Sequence, residues 1–101
     1  MMMKRLPEVK NQLGHRADAS VYNAVRAGLL TPGISIGARA KAWPDYEIRA
    51  LIEARVAGFT HSALKKLVSD LIQARPRVTG LNDDELRQLV SGFMESPEVA
   101  A

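Results

Sequence analysis

Glycine follows one apolar stripe after another in this chain, and that punctuation leaves room only for short helices. Leu6, Val9 and Leu13 recur at helical spacing before Gly14. Val21 and Val25 share a face before Gly28, and Ile48, Leu51, Ile52 and Val56 form a third stripe before Gly58. A glycine just past the last helical residue takes the left-handed conformation that closes a helix. The spacing therefore predicts helices over about 7–13, about 18–27, and from Pro44 to Gly58. Pro7 and Pro44 suit first turns, where a backbone N–H has no helical partner. Asp18 is read as an N-cap, and Asp45 and Glu47 as acids complementing the helix dipole. Two further stripes follow: Leu64, Leu67, Val68, Leu71 and Ile72 after a Thr60 cap, and Leu86, Leu89, Val90, Phe93 and Met94 after an Asn82–Glu85 capping box. Pro97 marks a loose tail.

Between the second and third helices the period changes. Pro32-Gly33 is strong turn punctuation. Ile34-Ser35-Ile36 alternates, Gly37-Ala38-Arg39 turns, and Ala40-Lys41-Ala42-Trp43 alternates again. This predicts a small two-stranded β-hairpin with Ile34, Ile36 and Trp43 inward and Ser35 and Lys41 outward. Trp43 is assigned to the core rather than to base stacking. The expected fold class is mainly α, with two short helices joined by a glycine-bearing turn, the helix-turn-helix pattern. A small hairpin and a C-terminal helical extension complete it. The division is 5–57 for the first unit, 60–95 for the extension and 96–101 for a flexible tail.

Composition closes off several function classes. With 101 residues, one domain is expected. The absence of cysteine excludes a disulfide framework, a thiol nucleophile and a cysteine zinc site. His15 and His61 are far apart and neither has a second histidine one helical turn away, so no metal pair is expected. No serine sits in a nucleophile elbow and no glycine-rich phosphate loop is present. No enzyme, cofactor or small-molecule substrate is expected. No apolar run approaches the roughly 18–20 residues of a membrane span. The first residues, Met1 to Pro7, lack the apolar core of a secretory signal, so the cytoplasm is the expected compartment.

The charge is uneven. Residues 1–43 carry Lys4, Arg5, Lys10, Arg16, Arg26, Arg39 and Lys41 against Glu8 and Asp18. Residues 80–101 carry Arg87 against Asp83, Asp84, Glu85, Glu95 and Glu98. A basic front and an acidic rear suit a protein whose front meets a polyanion. The second helix of a helix-turn-helix enters the major groove and touches base edges. Arg16 precedes that helix and Ser20 lies in its first turn. Asn23 and Arg26, three and six residues beyond Ser20, are expected on an exposed face opposite Val21 and Val25. Arginine can bridge guanine O6 and N7, and asparagine adenine N6 and N7. Arg39 and Lys41 at the hairpin tip can reach phosphate or the minor groove. The candidate DNA-binding residues are thus Arg16, Ser20, Asn23, Arg26, Arg39 and Lys41.

Four segments in order resemble the AlpA family of prophage regulators and excisionase-like factors, which are related to the MerR-type DNA-binding domain. They are Leu6-Pro7-Glu8-Val9, Ser20 to Gly28, Pro32 to Trp43, and Glu47 to Arg55, covering about residues 5–57. The resemblance implies a winged helix-turn-helix that binds double-stranded DNA and regulates transcription or assists excision of a phage or mobile element. By position it implies DNA contacts from Ser20, Asn23 and Arg39, while Tyr22 matches a partly buried family position. The turn from Gly14 to Tyr22 is one residue longer than the family pattern. Asp18 brings negative charge near the expected phosphates, and Leu51 stands where the family has tryptophan. The extension either packs back on this unit or pairs with a second copy; its acidic rear helix favours a homodimer. The competing reading is a small helical adaptor that binds a partner protein through its C-terminal helices.

Overall fold

The structure, a computed structural model, describes residues 2–95. The tail expected over 96–101 lies outside them. In chain order the elements are β1 (Met3–Arg5), α1 (Leu6–Gln12), α2 (Asp18–Arg26), β2 (Ile34–Ser35), β3 (Lys41–Pro44), α3 (Asp45–Val56), α4 (His61–Ala74), a 3₁₀ turn (Arg75–Arg77) and α5 (Asp83–Phe93). The chain is mainly α with one small antiparallel sheet, and no helix among the described residues is long and apolar enough to cross a membrane.

The helix ends follow local chemistry. After α2, Gly28 takes φ 78°. This lets its N–H reach the Val25 carbonyl at 3.1 Å while the Leu29 N–H reaches Ala24 at 3.0 Å. These two bonds satisfy carbonyls that the helix would leave orphaned, and left-handed backbone costs glycine no Cβ clash. The Thr60 hydroxyl accepts from the Ala63 N–H at 3.2 Å. Asn82 and Glu85 exchange side-chain-to-backbone bonds of 2.8 and 3.1 Å, the expected capping box. One cap differs. The N-cap of α2 is Ala17, and Asp18 instead lies in the first turn, where it meets Lys10 at 3.2 Å.

The sheet has three strands rather than two, in the order β1-β3-β2. Met3, Lys4 and Arg5 pair antiparallel with Pro44, Trp43 and Ala42, and Ile34 and Ser35 pair with Ala42 and Lys41. β3 is therefore a central strand, and burial of Ala42, Trp43 and Pro44 in succession overrides the expected alternation. Lys41 and Trp43 project to one face by strand geometry; only position along the strand separates exposed Lys41 from buried Trp43. The expected inward Ile36 is 50% exposed, because the strand pairing ends at Ser35. Trp43 is fully buried and its indole N–H donates to the Thr31 carbonyl at 2.7 Å. Gly33 packs so close to the indole that a Cβ there would stand 3.0 Å from Trp43 Cζ2, which explains a glycine at the foot of the hairpin.

The extension shares the core of the preceding residues. One buried cluster includes Val9 of α1, Val21 of α2, Trp43, Leu51 of α3, Leu67 and Leu71 of α4, and Val90 of α5. Each such aliphatic side chain contributes about 1.5–3 kcal/mol on leaving water. Val56, expected in the α3 stripe, is 84% exposed, since it lies three residues past Glu53 and seven past Arg49 on the exposed face of α3.

The largest departure from the sequence reading is Glu47. Expected only as a first-turn acid complementing the helix dipole, it is fully buried. Arg75 grips it with both ends of its fork: Nε donates to Oε2 at 2.9 Å and Nη2 to Oε1 at 2.8 Å. Nη2 also donates to the Pro32 carbonyl at 2.7 Å, so one guanidinium joins α3, the 3₁₀ turn and the segment leading into β2. The Tyr46 hydroxyl donates to Glu47 Oε2 at 3.5 Å. Burial, and then the neighbouring Glu47 carboxylate, push this hydroxyl from 10.0 up to about 12, with Arg75 opposing. The folded-state value lies above the unfolded one. The neutral phenol's contribution to stability is thus complete below pH 10 and is lost as pH rises toward 12. Urea midpoints should fall across this window, and Tyr46→Phe should flatten the fall. An unchanged slope in the variant would place the alkaline sensitivity elsewhere.

Candidate nucleic-acid interface

α1 and α2 pack against each other across the turn that carries Arg16, and α2 lays Val21 into the core. Fixing the buried side fixes the outer one. Asp18, Tyr22 and Arg26 follow at four-residue spacing with Ala19 and Asn23 beside them, and all five are exposed. Asn23 and Arg26 stand where the sequence placed them. They also touch: Arg26 Nη2 donates to Asn23 Oδ1. Ser20 is half-buried on the flank of this face rather than on it. Arg16 is exposed in the α1–α2 turn. The Asp18 carboxylate is drawn to Lys10, which offsets the negative charge at the start of α2.

The hairpin tip is a three-residue loop, closed by the Ile36 N–H donating to the Ala40 carbonyl at 3.0 Å. The Ser35 hydroxyl donates to the Gly37 carbonyl at 3.3 Å, which draws the tip inward. Arg39 and Lys41 are both exposed there. They line a cleft of about 320 Å³ whose other polar walls are Arg5, Tyr22 and Ser35. The antiparallel register explains the meeting. β1 ends at Arg5 opposite Ala42, the second residue of β3, so Arg5 emerges at the tip end of the sheet beside Lys41. Tyr22 then joins the cleft to the exposed face of α2. Among the described residues no carboxylate lines it.

Two cleft residues were missed in the sequence. Tyr22, assigned to partial burial, is 37% exposed and faces the hairpin. Arg5 was counted only as charge, because nothing local shows that residues 3–5 form a strand. Its one sequence signal is its place immediately before the first helix.

The cations of this surface are unpaired among the described residues, as Arg55, Lys65 and Arg77 elsewhere also are. Lys4, Lys10, Arg49, Lys66, Arg75 and Arg87 are each in an ion pair. Among the described residues, none of Arg5, Arg16, Arg26, Arg39 and Lys41 is. A second groove, about 540 Å³ between α3 and α5, mixes Asp45, Glu53 and Asp83 with Arg49 and Arg87. Its acids make it a poor seat for a polyanion. The chain matches no protein-family model, no curated protein and no solved structure.

Proposed function

We propose that this protein is a sequence-specific binder of double-stranded DNA, built as an AlpA-like winged helix-turn-helix that regulates transcription or assists excision of a mobile element. The observation that carries the reading is the continuity of an acid-free, unpaired cationic cleft with the outward face of α2. An α-helix about 10–12 Å across with its side chains fits a major groove roughly 12 Å wide, and the nine residues of α2 run about 13 Å along it. In this arrangement Asn23 and Arg26 meet base edges. Arg39 and Lys41 meet the backbone beside the groove, and Arg16 meets phosphate at the helix start. Phosphate contacts set register, and the few side chains on α2 choose sequence.

The test is retardation of duplex DNA by the full chain across a salt series, with fragments selected from the source genome. Affinity should fall steeply as salt rises. Arg39→Ala should weaken every sequence alike and reduce the salt slope by about one. The spacing of half-sites in the recovered fragments reports whether a homodimer binds. Absence of retardation at low salt would remove the reading and favour an adaptor that works through its C-terminal helices.

A further inference from the structure

The cleft beside α2 gathers cations from two distant stretches of chain, and only part of it was anticipated. We propose that it is the seat of one backbone phosphodiester, with Arg5, Arg39 and Lys41 as its donors. This rests on the DNA reading and adds to it a defined subsite and a residue outside the helix and the hairpin.

Three observations converge. First, the lining holds three cations and no acid, and the Tyr22 and Ser35 side chains add neutral hydroxyls. A phosphodiester offers acceptor oxygens and one negative charge, which this donor set complements. Second, the lack of ion pairing at Arg5 is selective. Its neighbour Lys4 has two carboxylates in reach, Glu8 at 3.6 Å and Asp45 at 3.8 Å. Glu8 also accepts the Arg5 backbone N–H at 3.4 Å, so the acid nearest in sequence is engaged with Lys4 and with main chain. Third, Arg5 and Lys41 are held at their roots by the sheet. The Arg5 Cα sits in β1 opposite Ala42 and the Lys41 Cα in β3 opposite Ser35, whereas Arg39 rides on the loop tip. An arginine whose backbone is already ordered loses less freedom on binding than one on a turn.

Each neutralised phosphate contributes about 0.9 to the salt slope. The experiment measures duplex affinity of the full chain over a salt series for the native protein, Arg5→Gln, Lys41→Gln and Asn23→Ala, with circular dichroism confirming folding. It is repeated on duplexes in which one phosphate at a time is a neutral methylphosphonate. Arg5→Gln and Lys41→Gln should each weaken every duplex about tenfold at low salt and lower the slope, and because they share one phosphate their combined loss of slope should be no more than about one. One methylphosphonate position should weaken the native protein more than it weakens Arg5→Gln or Lys41→Gln. Should Arg5→Gln and Lys41→Gln keep the native slope while Asn23→Ala loses sequence preference, the DNA reading stands and the phosphate seat is overturned. If the native chain retards no duplex at low salt, both fall together.

Discussion

Arg75→Ala should destabilise the protein by about 3–5 kcal/mol, the cost of leaving a buried charge without its partner. Glu47 is fully buried and both of its oxygens accept from Arg75. Removing the guanidinium also strips the Pro32 carbonyl of its donor. Against a total stability of about 5–15 kcal/mol for a domain this size, the loss is large. It corresponds to a fall in Tm on the order of 20 °C. Urea and thermal unfolding followed by circular dichroism measure it. The same physics says that the pair is not simply a stabilising device. Replacing both partners with apolar residues, Glu47→Leu with Arg75→Met, should recover most of the loss, because no uncompensated charge then remains. If the double variant is as unstable as Arg75→Ala, packing rather than stranded charge sets the cost. The pair also bears on the interface, since Arg75 holds the segment that enters the hairpin.

The contrast between this pair and the helix caps shows which parts of the fold the sequence makes legible. A cap is settled within four residues. Asn82 and Glu85 reach each other's backbone whatever the rest of the chain does, and Gly28 closes α2 with bonds to Ala24 and Val25. Glu47 and Arg75 are separated by a whole helix and more, and each alone looks like an ordinary surface charge. The clue was its place on the face of α3 that also carries Leu51 and Ala54, both fully buried. Strand β1 was hidden for a related reason. Three residues have no period of their own, and their pairing with Pro44, Trp43 and Ala42 spans some forty positions. Missing β1 turned a three-stranded sheet into a hairpin and left Arg5 out of the candidate site. The α2 face was legible because helical spacing relative to Val21 and Val25 fixes it. Ser20 was misplaced because six residues are enough for the 3.6-residue period to drift from flank to face.

The α2 face supports the last prediction. Replacing Asn23 and Arg26 together with alanine should weaken binding to the preferred duplex by about 2–6 kcal/mol, at roughly 1–3 kcal/mol for each base contact. Mixed-sequence DNA should lose only the part owed to one cationic charge, about one unit of salt slope. The upper end assumes independence, and these two side chains are not independent. Asn23 Oδ1 accepts from Arg26 Nη2. One lone pair of Asn23 Oδ1 is engaged by Arg26, and the other lone pair and the amide N–H groups remain for adenine. Arg26 keeps its remaining N–H groups for guanine O6 and N7. Asn23→Ala therefore removes its own base contact and also releases the Arg26 guanidinium, and the two single losses should sum to more than the double loss. Quantitative binding of native, single and double variants to preferred and scrambled duplexes measures the coupling. Equal losses on both duplexes would mean that this face holds DNA without reading it, and that selection of sequence comes from another part of the surface.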